Sequence, residues 1–224
     1  MTKSKIGRRK VLVLFYSLGG GVSLLAREVA RGASAVPNTD VEIKRVPELI
    51  CDEVFAKNPK MLARRKAIER AFPLATIDDL VKADGIAFGT PVHFGSFASQ
   101  IKQFIDQLSS VWHRRQLVNK PAAVFCSTGT LHGGEEVTLT SLMMPLFHLG
   151  MIPVGIPYPI QGEDPGFDAG SPYGAIFVNR AGHWKGMTAN EKKAGRILGQ
   201  RLAHMTHLMS CKCAACKPSH RKTR

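Results

Sequence analysis

Lys10 to Tyr16 (KVLVLFY) is an unbroken apolar run behind one lysine, the pattern of a strand buried on both faces of a parallel sheet. Three successive glycines bound it. From Val22 to Ala35, apolar residues at Val22, Leu25, Ala26, Val29, Ala30 and Ala33 recur at helical spacing, so strand and helix form a first βα unit. Val41 to Val46 alternates apolar with charged residues and reads as an edge strand. Thr76 to Lys82 begins a helix, with Thr76 as N-cap and Asp79 three positions on in the manner of a capping box. Residues 84–91 (DGIAFGTP) predict a third strand ending in a turn, and Ala98 to Trp112 carries a helix face at Ile101, Phe104, Ile105 and Leu108. A fourth strand follows at 121–130 (PAAVFCSTGT), then a helical stretch from Thr138 to Leu149 in which Pro145 is expected to kink or end the helix. Met151 to Ile156 predicts a short fifth strand and Asn190 to Met209 a last helix. Five strands alternating with helices imply an α/β, doubly wound, five-stranded parallel sheet of order 2-1-3-4-5.

The length of 224 residues and a hydrophobic content of 44% suit one well-buried domain, expected over residues 10–210 between basic tails at 1–9 and 211–224. The formal charge of +14 would suggest nucleic acid, but its placement does not. Residues 1–10 and 211–224 each hold five Lys or Arg and no acid, which accounts for +10 and leaves +4 between them. Solvated tails on a nearly balanced domain explain this without a basic binding face, and a further basic stretch at 56–70 reads as a solvated helix or an inserted loop. The apolar N-terminal run of about six residues is too short for a secretory signal, and no stretch approaches the ~18 apolar residues of a membrane span. Five cysteines, an odd number, do not suggest a secreted disulfide scaffold. The chain is expected to be soluble and cytoplasmic.

In an open sheet of this order, ligands sit beyond the carboxyl ends of the central strands, where strand order reverses. Three unusual loops follow those strands: SLGGG (17–21), TPVHFGSF (90–97) and STGTLHGGEE (127–136). In the first, glycines let backbone N–H groups turn inward, Ser17 adds a hydroxyl and the helix from Val22 offers the positive end of its dipole. The same residues also suit an ordinary βα corner. The loop has neither the Lys and Ser/Thr of a nucleoside-triphosphate loop nor GxGxxG spacing, since Gly19, Gly20 and Gly21 are contiguous. Thr90, Pro91 and an aromatic Phe94 in the second loop suit a flat ring, and the STGT hydroxyls exceed what a turn requires. Together the loops describe a pocket for a phosphate and a flat, polar-edged ring.

FYS with its glycine turn, GTPVHFGSFASQIKQFIDQ (89–107) with Trp112 beyond, STGTLHGGEEVTLTS (127–141), HLGM (148–151) and SPYGA (171–175) resemble the flavodoxin-like NAD(P)H:quinone oxidoreductases related to the tryptophan-repressor-binding protein. The resemblance spans almost everything between Lys10 and Ala203. It implies a flavodoxin-like fold, FMN as cofactor, NADH or NADPH as reductant and a quinone or similar small aromatic acceptor, in a ping-pong hydride transfer. On matching positions it implies that Ser17, Leu18, Gly19, Gly20, Gly21 and Val22 hold the phosphate. Thr90, Pro91, Val92, His93 and Phe94, with Ser127, Thr128, Gly129, Thr130, Leu131, His132 and Gly133, would border the isoalloxazine, and His148 and Trp112 would flank the substrate space. It further implies a homo-oligomer, a tetramer or dimer, in which neighbouring subunits complete the site. Two positions depart from the family: Gly19 stands where a nicotinamide-contacting Tyr is usual, and His93 where Arg is frequent.

By residue type alone, His148 in MMPLFHLGM reads as a core histidine; by the resemblance it faces the flavin and donates to a bound quinone or its product. Trp112 is likewise core or lid, and His132 is a lesser candidate for the same part. Cys211, Cys213 and Cys216, with His207 or His220, have the residue types of a zinc site but no standard spacing, and a basic tail is the simpler reading, so no metal is expected. Cys126 reads as a small buried hydrophobe. A flavodoxin-type electron carrier and a flavin-free binding protein whose tails engage nucleic acid are the competing functions. Carriers usually present acidic faces, unlike this chain.

Overall fold

A computed structural model of the chain describes residues 7–158, 170–179 and 186–210. The basic tails at 1–6 and 211–224, with the cysteine cluster, lie outside the described residues, as do parts of the segment from Pro157 to Met187. The first apolar run is strand β1 (Arg9–Phe15), and helix α1 (Gly21–Ser34) follows the glycine turn. Alternate residues of β1 go to opposite faces: Leu12 and Leu14 join one buried cluster, Val11, Val13 and Phe15 the other. β2 (Thr39–Arg45) pairs parallel with β1 at one edge of the sheet.

Between β2 and the third strand lie three helices, α2 (Asp52–Ala56), α3 (Pro59–Ala71) and α4 (Ile77–Lys82). The basic stretch at 56–70 is therefore mostly the solvated helix α3. α4 opens with the expected capping box: Asp79 N donates to Thr76 Oγ1 at 3.3 Å and Thr76 N to Asp79 Oδ2 at 2.7 Å. Burial alone would raise the Asp79 carboxyl, but Lys44 and Thr76 outweigh it and bring the pKa down to about 2.

β3 (Gly85–His93) ends in a hairpin with the two-residue β4 (Ser96–Phe97), and α5 (Ser99–Asp106) and α6 (Ser109–His113) divide the predicted single helix at Leu108. β5 (Pro121–Thr128) is buried throughout. α7 (Glu135–His148) continues through Pro145, whose cost is the one backbone bond that its missing N–H would have made to Ser141 O.

The fifth strand differs from its prediction. Only Ile152–Pro153 (β6) of the expected stretch pairs, parallel to Pro121 and Ala122 at the start of β5. The rest of that edge is taken by β8 (Gly174–Val178), parallel to Val124–Thr128, with β7 (Gly170–Ser171) antiparallel beyond it. Gly155 and Gly174 let the split strand close: a Cβ on Gly155 would lie 1.9 Å from Pro172 O, and one on Gly174 2.1 Å from Val124 O. The parallel core β2-β1-β3-β5-β8 thus has the order 2-1-3-4-5 of a flavodoxin-like sheet. The final helix α8 (Ala189–Met209) lies on α1, where Gly32 and Gly199 allow backbone contact. α1 and α8 cover one face; α4, α5 and α7 contribute to the core of the other.

Candidate functional site

The three loops leave the carboxyl ends of β1, β3 and β5, and the structure brings them together. Tyr16 N donates to Gly89 O at 3.0 Å, extending the β1 to β3 pairing up to the first loop. A Cβ on Gly21 would fall 2.5 Å from Ser127 Oγ, so the first turn of α1 lies against the end of β5. A Cβ on Gly134 would fall 3.1 Å from Gly95 Cα, so the third loop abuts the β3–β4 hairpin.

Each glycine of the first loop has a separate task. Gly20 is the N-cap of α1 at φ 93°, a left-handed conformation. Gly21 leaves the space that Ser127 occupies. A Cβ on Gly19 would meet nothing within 4 Å, so that side of the loop is open. Ser17 Oγ accepts from Gly20 N at 3.1 Å, and Ser23 Oγ donates to Gly20 O at 2.7 Å, which fixes the turn. The backbone N–H groups of Leu18, Gly19, Gly21 and Val22 have no protein acceptor among the described residues. Four unpaired donors at a helix N-terminus, beside a serine hydroxyl, are the donor set a phosphate dianion needs.

The second loop is a two-residue hairpin. His93 pairs with Ser96, and the turn residues Phe94 and Gly95 both have positive φ, 52° and 74°, the arrangement that suits the twist of a hairpin. For phenylalanine this conformation costs about 1–2 kcal/mol, and Phe94 is held in it with its ring wholly exposed. Thr90 anchors the base: its Oγ1 accepts from Ala98 N at 2.9 Å and donates to Pro91 O at 2.9 Å. Its hydroxyl is therefore a structural clamp, already satisfied, while Pro91, Val92 and His93 are half-buried along the strand end.

In the third loop Ser127 and Thr128 are buried, whereas Gly129, Thr130, Leu131 and His132 are exposed. Thr128 Oγ1 donates to Thr130 O at 3.3 Å, and a Cβ on Gly133 would meet the Thr128 and Thr130 hydroxyls at 2.6 and 2.8 Å. The loop thus folds back on its own hydroxyls. Cys126, one residue before it, is fully buried, and burial pushes its thiol up.

His148 and Trp112 stand elsewhere in the single chain. α7 starts beside the third loop at Glu135 and ends at His148, and 14 residues of helix put them about 20 Å apart. Trp112 is on α6, beyond α5 and the break at Leu108. Both side chains are exposed. Met144 and Phe147, on the last turns of α7, are exposed apolar neighbours of His148, and Val118 packs on nearby Gly150.

Beneath the loops sits a group with no local sequence signal. Glu48, in the segment after β2, accepts from Tyr16 OH at 2.7 Å, Gln100 Nε2 at 2.7 Å, Leu49 N at 2.9 Å and Ile50 N at 3.1 Å. One carboxylate thereby ties the end of β1 to the first turn of α5. Burial and then Glu48 push the Tyr16 phenol up, so it remains a donor. Its ring stands edge-on to His93, centroids 6.5 Å apart. Among the described residues, no group of three or more His, Cys, Asp or Glu is placed to hold a metal, and no helix is long and apolar enough to cross a membrane.

Comparison with known proteins bears on the family and the fold. Residues 9–164 match the family of NADPH-dependent FMN reductases. The chain is 41% identical over 198 residues to an NAD(P)H dehydrogenase (quinone) of Solidesulfovibrio magneticus, covering 88% of this chain and 97% of that one. A WrbA-like flavodoxin from Agrobacterium tumefaciens superposes with a TM-score of 0.59 at 20% identity, over 89% of this chain and 98% of its own. An NADH:FMN oxidoreductase in its apo form gives 0.56 at 16% identity, over 92% of each. The two solved structures speak for the fold.

Proposed function

Because the chain belongs to the NADPH-dependent FMN reductase family, flavodoxin-like relatives of the NAD(P)H:quinone oxidoreductases, we propose that it passes two electrons from NADH or NADPH through FMN to a quinone. The observation that carries this reading is the contact of Gly21 with Ser127, which joins an unpaired set of backbone donors to the strand end where a flat ring would lie. The residues fit the cofactor. Ser17 to Val22 would hold the phosphate without metal or lysine. Thr90 to Phe94 and Ser127 to Gly133 would border the ring. FMN, when bound, supplies the acceptor for hydride and then the donor to the quinone.

The chain's own part is binding and orientation. The first turn of α1 receives the phosphate charge on its N–H groups and dipole. Thr90 clamps the hairpin so that Phe94 is presented at the rim, where its ring excludes water from one side. Gly19 leaves open the side on which a nicotinamide ring would approach. His148 and Trp112 reach this space from a second copy of the chain, since within one chain His148 lies at the far end of α7 from the third loop. His148 then donates to the bound quinone or its product, and solvent completes the protonation. The functional form is a homo-oligomer, dimer or tetramer, with the exposed Met144 and Phe147 at the contact.

Anaerobic mixing of the FMN-loaded protein with NADPH or NADH tests the reading. The flavin absorbance should bleach and return on adding benzoquinone. A flavin that stays oxidised in both would mark an electron carrier and overturn the enzyme.

A further inference from the structure

His93 and Glu48 are linked through Tyr16 in a way that binding alone does not require. His93 closes β3, half-buried, with its main chain fixed by pairing to Ser96 across the turn. Its ring faces the edge of Tyr16 at 6.5 Å, and the Tyr16 hydroxyl donates to Glu48 at 2.7 Å. Glu48 is held by three further donors, so its carboxylate cannot swing away. Burial lowers the proton affinity of His93, and the field of Glu48 works against it. Tyr16, the residue after β1, lies against the ring, and Gln100 from α5 shares the Glu48 carboxylate with it. Arg65 acts on Tyr16 and Glu135 on Cys126, whereas Glu48 is the charge whose field reaches His93.

We propose that His93 is a switchable cation at the ring end of the flavin site, positioned and charge-tuned by Glu48, which takes up a proton when the flavin is reduced. The proposal rests on the flavin reading above. Transfer of a hydride from NAD(P)H adds two electrons and one proton to the flavin and leaves the ring system with a negative charge. His93 would answer that charge by binding one proton from solvent; when the hydride passes on to the quinone, His93 would return its proton to solvent, and solvent would supply the second proton of the hydroquinone. Glu48 keeps the imidazole close enough to titration to respond, against the burial that favours its neutral form. The reduced flavin is therefore held more tightly, relative to the oxidised one, as pH falls through the His93 titration.

The test follows the His93 imidazole by NMR in the full chain over pH, assigned with His93→Gln, in the flavin-free, FMN-oxidised and dithionite-reduced states. Reduction should raise the His93 midpoint by about one pH unit, as a new neighbouring charge does. Glu48→Gln should lower it by about half a unit in every state, a shift that a purely structural Glu48 would not produce. His93→Arg, a permanent cation, should make the ratio of FMN dissociation constants for the two redox states less dependent on pH. Equal midpoints in the oxidised and reduced complexes overturn the proposal, and that comparison needs no variant, so it stands even if Glu48→Gln fails to fold. A chain that takes up no FMN sinks the flavin reading as well; one that binds FMN but shows an unmoved His93 sinks this proposal alone.

Discussion

The first turn of α1 rests on the end of β5 through Gly21 and Ser127, with only 2.5 Å between a Cβ on Gly21 and Ser127 Oγ. That approach makes the three contiguous glycines unequal. Gly21→Ala drives a methyl into Ser127 and should weaken FMN binding about tenfold, or ~1.4 kcal/mol. Gly20→Ala imposes a side chain at φ 93°, a strain of roughly 1–2 kcal/mol that should appear as lost stability as well. Gly19→Ala meets open space and should change FMN affinity by no more than about twofold. Fluorescence titration of FMN onto the three variants checks the order. Equal effects would mean that the loop is only a flexible corner.

Lys120 caps a helix it does not belong to. Its Nζ donates to Val81 O and Ala83 O at 2.6 Å and to Leu80 O at 3.2 Å, at the end of α4, where the carbonyl dipoles favour a cation. Burial lowers its pKa, and Asp84 opposes this. Lys120→Met leaves those carbonyls without the ammonium and should cost about 2 kcal/mol, measured as a lower urea midpoint, with FMN affinity little changed because α4 lies away from the loops.

Asp79 makes stability depend on acid. Its pKa is about 2 in the folded chain against 3.8 ordinarily, so ionised Asp79 favours folding at pH values above the ordinary one. That contribution, on the order of 2 kcal/mol, is lost as pH falls through the folded value. Asp79→Asn should therefore be less stable than the parent at pH 6, with the gap closing toward about pH 2. Urea unfolding across that window checks the sign.

Assembly is tested at the far end of α7. Phe147 is exposed one residue from His148, and Phe147→Glu should yield slower-sedimenting species and reduce quinone turnover by about tenfold. A parent chain that sediments as a monomer would contradict the placement of His148 and Trp112 in a shared site.

How much the sequence reveals depends on how local the cause is. The capping box of Thr76 and Asp79 and the buried run of β1 are set within a few residues and are legible. The glycine turn is legible as a phosphate loop or a corner, and its contact with Ser127 decides what Gly21 is for. The fifth strand is only partly legible, because β6 and β8 share one edge of β5 and only the pairing partner shows it. Pro145 predicts a disturbed α7, yet the packing of Leu142 and Leu146 in the core carries the helix through. Glu48 and Lys120 are invisible: their partners lie on other elements, and a single acid or lysine in a loop has no pattern. Thr90 stands out in the sequence as a hydroxyl at a strand end, but the sequence does not show that its hydroxyl is spent on the hairpin.

The most direct measurement is titration of FMN onto flavin-free protein, followed by flavin fluorescence and by the absorbance of the isolated complex. One FMN per chain should bind, with fluorescence changing to a sharp equivalence point, and Gly21→Ala should blunt it. A protein that leaves the fluorescence of FMN unchanged and elutes without flavin would contradict the central claim.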